Sequence, residues 1–343
     1  MHLDRAKVDR LLRAAGFGAA SRLLPVPGGA NNRVYEVDHA DGTVLLKVYF
    51  RHPDDPRDRM GNEFAFSHFA MTAGATCIPR PLECDVDSGM GLFEFVRGRR
   101  VEREDLSEQL MEQVIEFIRT VNEGRWRPSA ASLPVASESC FTLEEHLATV
   151  GRRVVRLMKM STASDIDREA LRFVETELKP LWDTVRDHLR ARMRTHAAGR
   201  MLEHGGRCIS PSDLGFHNAL IRDSGEVCFL DFEYAGWDDP AKLICDFFCQ
   251  PGIPVPARWF HTFASSVALC FLEPEVVLNR SRLLLPLYRV KWLCILLNEF
   301  LPVGQERRCF AREPDELEDR KVQQLAQARA AMNSFRTPER ISA

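Results

Sequence analysis

Residues 209–246 read ISPSDLGFHNALIRDSGEVCFLDFEYAGWDDPAKLICDF, and this stretch concentrates the chain's chemical side chains. Asp213 and Asn218 stand five apart in a polar loop between short apolar segments. Asp231 follows thirteen residues after Asn218, at the end of the apolar strand formed by residues 227–230. An Asp at a strand end, an Asn one hairpin earlier and an Asp on the loop before it can converge on one point. Phosphoryl transfer needs such a set: a carboxylate to orient and deprotonate a hydroxyl, and oxygen ligands for Mg²⁺ on nucleotide phosphates. Asp and Asn are also ordinary turn residues, and either one alone reads as a turn. The spacing and a second group of residues carry the functional reading.

That second group lies in the first hundred residues. Lys47 sits in the apolar run LLKVYF, where a lysine must snorkel, pair or contact an anion. Residues 28–37, GGANNRVYEV, make a Gly-containing turn that leads into a strand. Such turns cover phosphates with backbone N–H groups, and Gly28, Gly29 and Asn32 are the candidate positions. Glu63 falls on the following helix, able to pair with Lys47. In isolation Lys47 reads equally as an edge-strand lysine with its head in water, and Glu63 as a solvated helix position.

The elements that must position these groups follow from the apolar periods. Residues 33–39 and 43–50 flank Ala-Asp-Gly, a hairpin signal. A helix at 57–73 turns Phe64, Phe66, Phe69 and Ala70 inward, and strands at 80–86 and 90–96 come next. After Gly98 the pattern is helical over 103–122, 141–159 and 165–197, with Pro180 kinking or dividing the last. Short strands return at 207–210, 218–222 and 227–232, then helices at 239–249, 256–272, 274–300 and 314–334. The expected class is α+β: a small antiparallel-sheet lobe with one helix over 1–97, and a larger, mostly helical lobe over 98–343.

Composition narrows the class further. A 45% hydrophobic chain of 343 residues excludes disorder, and a net charge of −3 gives no electrostatic case for nucleic acid. The N-terminus reads as a charged amphipathic helix with no apolar signal core. The most apolar stretch, 283–301, is broken by Arg289, Lys291, Asn298 and Glu299, which makes it a buried helix and not a membrane span. Ten scattered cysteines without a CxxC pair read as core thiols in a reducing compartment, and we expect a cytoplasmic protein.

In this order, the residues resemble the aminoglycoside phosphotransferase and choline kinase family, a small-molecule branch of the protein-kinase-like fold. The resemblance runs from about Gly28 to Asp246 and is strongest over 209–246. It implies a bilobal fold and transfer of the γ-phosphate of ATP, with GTP as an alternative, to a hydroxyl of a small molecule. It implies that Lys47 contacts the α- and β-phosphates and that Glu63 holds Lys47. Glu94 and Val96, in LFEFV, match the hinge whose backbone binds adenine. Asp213 then resembles the catalytic base, and Asn218 and Asp231 the Mg²⁺ ligands. Asp238-Asp239-Pro240 and Asp246 resemble a segment that supports the catalytic loop.

This chain departs from the family where the loop opens. The usual His-Gly-Asp is Pro211-Ser212-Asp213 here, and the His common two residues after the base is Gly215, with His217 beside Asn218 instead. Altered loop opening raises the alternative of a catalytically impaired nucleotide-binding scaffold. A protein kinase is the weaker alternative, because no Ala-Pro-Glu follows Asp231. Expected acceptors are a sugar, amino sugar, amino alcohol or related metabolite, with a sugar or sugar-like compound preferred. Glu233 and Asp238 are candidates to meet a cationic acceptor, against a plainer reading as helix-start and turn residues. No nucleic-acid or membrane partner is expected.

Overall fold

The computed structural model describes residues 3–27, 32–51, 57–193, 201–302 and 317–336. Gly28 and Gly29 lie outside the described residues, as does Cys309. In the first part, β1 (Arg22–Pro25), β2 (Arg33–His39), β3 (Gly42–Val48), β4 (Pro81–Asp85) and β5 (Met90–Glu94) form an antiparallel sheet. Its order is β1-β2-β3-β5-β4, so β3 is central. Lys47 is therefore not an edge-strand residue; it pairs with Val34 on one side and Gly91 on the other.

The period of two along β3 sorts its side chains between two faces. Val44, Leu46 and Val48 join Val37 and Leu92 in one apolar cluster. That cluster is covered by α1 (Arg5–Ala14), which presents Val8, Leu11 and Leu12 and is capped by the Asp4 carboxylate on Ala6 N–H. Lys47 and Tyr49 fall on the opposite face. There α2 (Arg59–Thr72) packs Met60 and Phe64 against Tyr49 and Phe93. The other side of α2, with Phe66, Phe69 and Ala70, belongs to the core of the helical part. All four inward positions expected on this helix are buried.

The helical part contains α3 (Glu108–Asn122), α4 (Leu143–Leu157), α5 (Asp165–Phe173), α6 (Lys179–Met193), α7 (Pro240–Cys249), α8 (Phe260–Ala268), α9 (Pro274–Leu296) and α10 (Leu317–Arg336). A π turn over Val174–Leu178 joins α5 to α6. It coincides with Pro180, which has no N–H to offer the Thr176 carbonyl. Between the helices lie the short strands β6 (Arg99–Arg100), β7 (Cys208–Ser210), β8 (Ala219–Ile221), β9 (Val227–Phe229) and β10 (Gly236–Asp238). β6, β8 and β9 form one small sheet, and β7 pairs with β10. The strands β1, β6 and β10 had no counterpart in the sequence reading.

Buried charge anchors α9 to the chain around α7. Arg280 donates through Nε to Asp239 at 2.6 Å, and His146 on α4 meets the same carboxylate at 3.0 Å while its other ring nitrogen lies 2.7 Å from Tyr288 Oη. Lys291 donates to both oxygens of Asp246 at 2.9 Å, and Lys242 pairs with Asp238. These pairs explain how charged residues sit inside apolar helices. Among the described residues no helix is long and apolar enough to cross a membrane. The nine described cysteines are free; five are buried and four half-buried.

Candidate active site

Lys47 and Glu63 meet because β3 and α2 face each other across one turn of side chains. Lys47 Nζ donates to Glu63 Oε2 at 2.6 Å, and Tyr49 Oη donates to the same oxygen at 2.7 Å. The other oxygen of Glu63 accepts the Phe232 N–H at 3.3 Å. Lys47 also pairs with Asp231. Both Lys47 and Glu63 are buried, so neither is the solvated side chain of the plainer reading. Burial alone would lower the Lys47 pKa, but the charges of Asp231, Glu63 and Glu233 outweigh it and raise it.

Asp231 stands where a hairpin puts it beside Asn218. β8 pairs with β9 so that Ala219 faces Phe229, and one step outward the Leu230 N–H donates to the Asn218 carbonyl at 2.8 Å. Asp231 is the next residue. Its backbone is left-handed, with φ of 67°, and Ser212 has the same value. Glu138, with φ of 55°, is the other described non-glycine residue in that region. Such backbone costs free energy and persists where the surroundings over-determine it. Burial pushes the Asp231 carboxyl up to about 7; Lys47 opposes the rise, and Glu233 and Glu63 add to it.

Asp213 is reached from β7. Asn122 on α3 holds that strand, donating Nδ2 to the Ile209 carbonyl at 2.9 Å and accepting the Ile209 N–H at 2.8 Å. The Ser212 N–H then donates to Ser210 Oγ at 3.0 Å, which supports the loop opening where the family histidine is missing. Asn218 Nδ2 donates to the Asp213 carbonyl at 3.1 Å and to its carboxylate at 3.3 Å. His217 Nε2 lies 3.5 Å from the other carboxylate oxygen. Burial alone would raise the Asp213 carboxyl, but His217, Asn218 and the charge of Lys291 outweigh it and hold it below its ordinary value.

An aromatic cluster ties these groups to one frame. Phe66 on α2 is 4.9 Å from Phe232, and Phe117 on α3 stacks on Phe229 at 5.1 Å. Each such pair contributes about 0.5–1.5 kcal/mol beyond its burial. The helix that carries Glu63 and the segment from β9 to Phe232 that carries Asp231 are therefore packed through shared aromatic contacts.

The remaining expected positions are placed as follows. Asn32 is buried and uses both ends of its amide, Nδ2 to Glu233 at 2.7 Å and Oδ1 from the Phe50 N–H at 3.1 Å. Glu94 closes β5 and is exposed; its N–H is taken by the Arg80 carbonyl at 2.9 Å. Val96 lies just past β5, half-buried and outside any strand. Glu233 and Asp238 have no exposed surface, which overturns the acceptor-contact reading. Glu233 lies in the turn that the Ala235 N–H closes on the Phe232 carbonyl at 3.0 Å, as the plainer reading expects. Glu233 is bonded to Asn32 and Arg59, Asp238 is a strand residue paired with Lys242, and the helix cap is Asp239. The sequence reading also missed Asn122, Tyr49, Arg59 and Ser210. An amide inside an apolar period was the available signal for Asn122; Arg59 follows the polar run at 51–58 and carries no such signal.

The phosphotransferase enzyme family matches residues 22–249, more than half of the chain. The chain belongs to that family, and it is an enzyme of the small-molecule kinase class. No curated protein matches it by sequence. Among solved structures it is similar to the choline kinase LicA from Streptococcus pneumoniae, at 12% identity and a TM-score of 0.60, covering 96% of this chain and 98% of that one. It is similar to a spectinomycin phosphotransferase solved with ADP and spectinomycin, at 11% identity and a TM-score of 0.59, covering 96% and 99%. A Plasmodium vivax ethanolamine kinase follows the same fold at 13% identity and a TM-score of 0.57, covering 91% and 83%. The fold is the bilobal kinase-like one.

Proposed function

We propose that this enzyme transfers the γ-phosphate of ATP to a hydroxyl of a small molecule, with Asp213 as the base. The observation that carries the reading is the convergence of Lys47, Glu63 and Asp231, with Asp213 and Asn218 brought alongside by the β8–β9 hairpin. Residues 1–97 act as the nucleotide-binding lobe and 98–343 as the catalytic and acceptor-binding lobe. Lys47, oriented by Glu63, holds the α- and β-phosphates. Gly28, Gly29 and Asn32 belong to the turn over the phosphates, and the backbone at Glu94 and Val96 meets the purine. Because backbone groups read the purine, GTP is the alternative donor.

The donor set fits Mg²⁺. Asn218 is anchored through its amide nitrogen on Asp213, which leaves its carbonyl oxygen as the ligand atom. Among the described residues the carboxylates of Glu63, Asp231 and Glu233 gather around Lys47 and Arg59, a setting that suits a divalent cation. Among the described residues no group of three or more His, Cys, Asp or Glu can hold a metal by itself. Mg²⁺ is characteristically held by one or two side chains plus phosphate oxygens and water, and Asn218 with Asp231 meets that description. When bound, it would neutralise charge on the phosphates.

Asp213 does its work as an ionised carboxylate. Its lowered pKa keeps it deprotonated at neutral pH, free to accept the acceptor's hydroxyl proton. Asn218 and His217 fix its orientation. The neighbours' acceptors include spectinomycin, and the choline and ethanolamine kinases carry amino alcohols in their names. Here the burial of Glu233 and Asp238 removes two carboxylates that a cationic acceptor would have used. A sugar or sugar-like hydroxyl compound is the preferred acceptor. Free thiols at the nine described cysteines suit a cytoplasmic location.

The test is calorimetry of ATP–Mg²⁺ binding, followed by a thermal-shift screen of hydroxylated metabolites in its presence. Binding with a stabilising acceptor that then consumes ATP is expected. Absence of binding at millimolar ATP–Mg²⁺ overturns the reading. Binding without turnover of any acceptor would favour the scaffold alternative.

A further inference from the structure

Three described residues other than glycine carry a left-handed backbone: Glu138, Ser212 and Asp231. Ser212 adjoins Asp213 and Asp231 is itself a site residue, whereas Glu138 lies in the link between α3 and α4. That link is fixed on both sides of Glu138. Before it, the Trp237 N–H donates to the Pro134 carbonyl, the Ala136 N–H to the Trp237 carbonyl and the Ser137 N–H to the Tyr234 carbonyl, each at 2.9 Å. After it, Cys140 Sγ lies 3.4 Å from the Glu138 carbonyl and 3.4 Å from Thr149 Oγ1 on α4. The residues that fix it, 234–237, run on from Asp231 and pair with β7, the strand that leads to Asp213. Backbone strain held in this way gathers at binding sites.

The Glu138 side chain shares its setting with the two aspartates of the site. It is 36% exposed, beside 30% for Asp213 and 32% for Asp231. Burial nonetheless acts to raise all three carboxyls. An acid enclosed by protein on most sides and open on one lines a cleft. At Glu138 the effect of burial is outweighed by Arg153, Lys291 and Lys242, which hold the carboxyl at about 2. The charge of Lys291 acts on Asp213 as well, so Glu138 and Asp213 stand around one lysine.

The balance of charge here selects the chemistry of a ligand. Arg153 Nη2 donates to Glu138 Oε2 at 2.6 Å, Lys291 donates to Asp246 at 2.9 Å, and Lys242 pairs with Asp238. Three carboxylates meet three cations, which leaves no net charge to answer an ammonium or an anionic group. Glu138 Oε1 has no hydrogen-bond partner among the described residues. An ionised oxygen open to solvent is a strong acceptor for hydroxyl donors.

We propose that Glu138, held by Arg153, binds the acceptor and takes the hydroxyl groups of a neutral polyhydroxylated compound presented to Asp213. The inference rests on the reading that Asp213 activates an acceptor hydroxyl, and it deepens that reading by naming a residue that selects the acceptor. Arg153 is a positioning residue: it fixes one carboxylate oxygen and leaves the other for the compound.

The experiment compares the wild type with Glu138→Gln and Glu138→Gly. ATP–Mg²⁺ binding is measured by calorimetry. ATP consumption is then followed with neutral monosaccharides and inositol as one set of acceptors, and with choline, ethanolamine and spectinomycin as a cationic set. The wild type should consume ATP with a member of the neutral set. Both variants should raise KM for that acceptor about 10- to 100-fold, the range for losing a hydrogen bond to a charged group, with kcat changed far less and ATP affinity kept. Glycine suits a left-handed backbone, so Glu138→Gly carries the test should Glu138→Gln fail to fold. An unchanged acceptor KM would make Glu138 a purely structural partner of Arg153, and the inference would be wrong. It would be equally wrong if ATP affinity fell as far as acceptor affinity, since Glu138 would then support the fold as a whole. A wild type that binds ATP–Mg²⁺ but phosphorylates only the cationic set, or no member of either set, also overturns it. If the wild type does not bind ATP–Mg²⁺, the reading beneath it fails first.

Discussion

Lys47 and Gly91 face each other across the β3–β5 ladder, and the ring of Phe64, the residue after Glu63, lies over Gly91 where a side chain would be. A Cβ on Gly91 would stand 2.6 Å from Phe64 Cε2. That close approach is what brings α2 near enough for Glu63 to reach Lys47. Gly91→Ala should push α2 outward and destabilise by about 1–3 kcal/mol, the usual range for overpacking. It should also raise KM for ATP, because the Lys47–Glu63 pair lengthens. A lower thermal midpoint with an unchanged KM would separate the sheet contact from the ion pair and remove this link.

Asp213 and Asp231 should fail in different ways. Asp213→Asn should leave ATP–Mg²⁺ affinity near wild type and lower turnover by about 10²- to 10⁴-fold, the range for losing a general base. Asp231→Asn should weaken metal-dependent nucleotide binding as well as turnover, with partial rescue by Mn²⁺, which accepts nitrogen ligands more readily. Nucleotide titration and single-turnover kinetics on both variants distinguish the two. Wild-type turnover in Asp213→Asn would move the chemistry to another residue.

Ser212 carries a left-handed backbone where the family has glycine. An L-residue there costs about 1–2 kcal/mol, and glycine gives back about 0.5–1 kcal/mol through its greater freedom when unfolded. Ser212→Gly should therefore be more stable by about 0.5–1 kcal/mol. Turnover should stay of the same order, since Asn218 and His217 hold Asp213 independently. A lower midpoint on thermal unfolding would mean that the Ser212 side chain contributes more than its backbone costs.

The Asp239 network should show its charge in acid. Burial alone would raise this carboxyl, but Arg280 and His146 outweigh it and hold it at about 2. A carboxyl whose folded pKa is depressed stabilises the fold above its unfolded pKa of about 4, and the benefit is lost as pH falls through about 2. Asp239→Asn removes the buried charge that Arg280 and His146 meet and should cost about 3–5 kcal/mol near neutral pH. In urea unfolding series, the gap between wild type and Asp239→Asn should narrow as pH drops from about 4 towards 2. A gap that stays constant with pH would mean that packing, not the carboxylate charge, carries the effect.

Much of this enzyme is written in local pattern. The alternation of residues 43–48, the hairpin signal at Ala-Asp-Gly and the apolar periods of α2 to α4 depend only on neighbours in the chain, and the strands and helices there follow them. The sequence also brought Asp213, Asn218 and Asp231 into one hypothesis, because a hairpin of that length returns the chain beside itself. What it did not determine was which distant charges meet. Glu233 and Asp238 look like turn acids in a polar stretch, yet one is bonded to Asn32, 201 residues away, and the other lies in a strand. Asn122 appears as one amide at the end of an amphipathic helix and proves to hold β7, 87 residues on. Such pairings depend on how α2, α3 and the short strands pack. A buried polar group takes whichever partner that packing delivers, so only the tertiary structure decides its role.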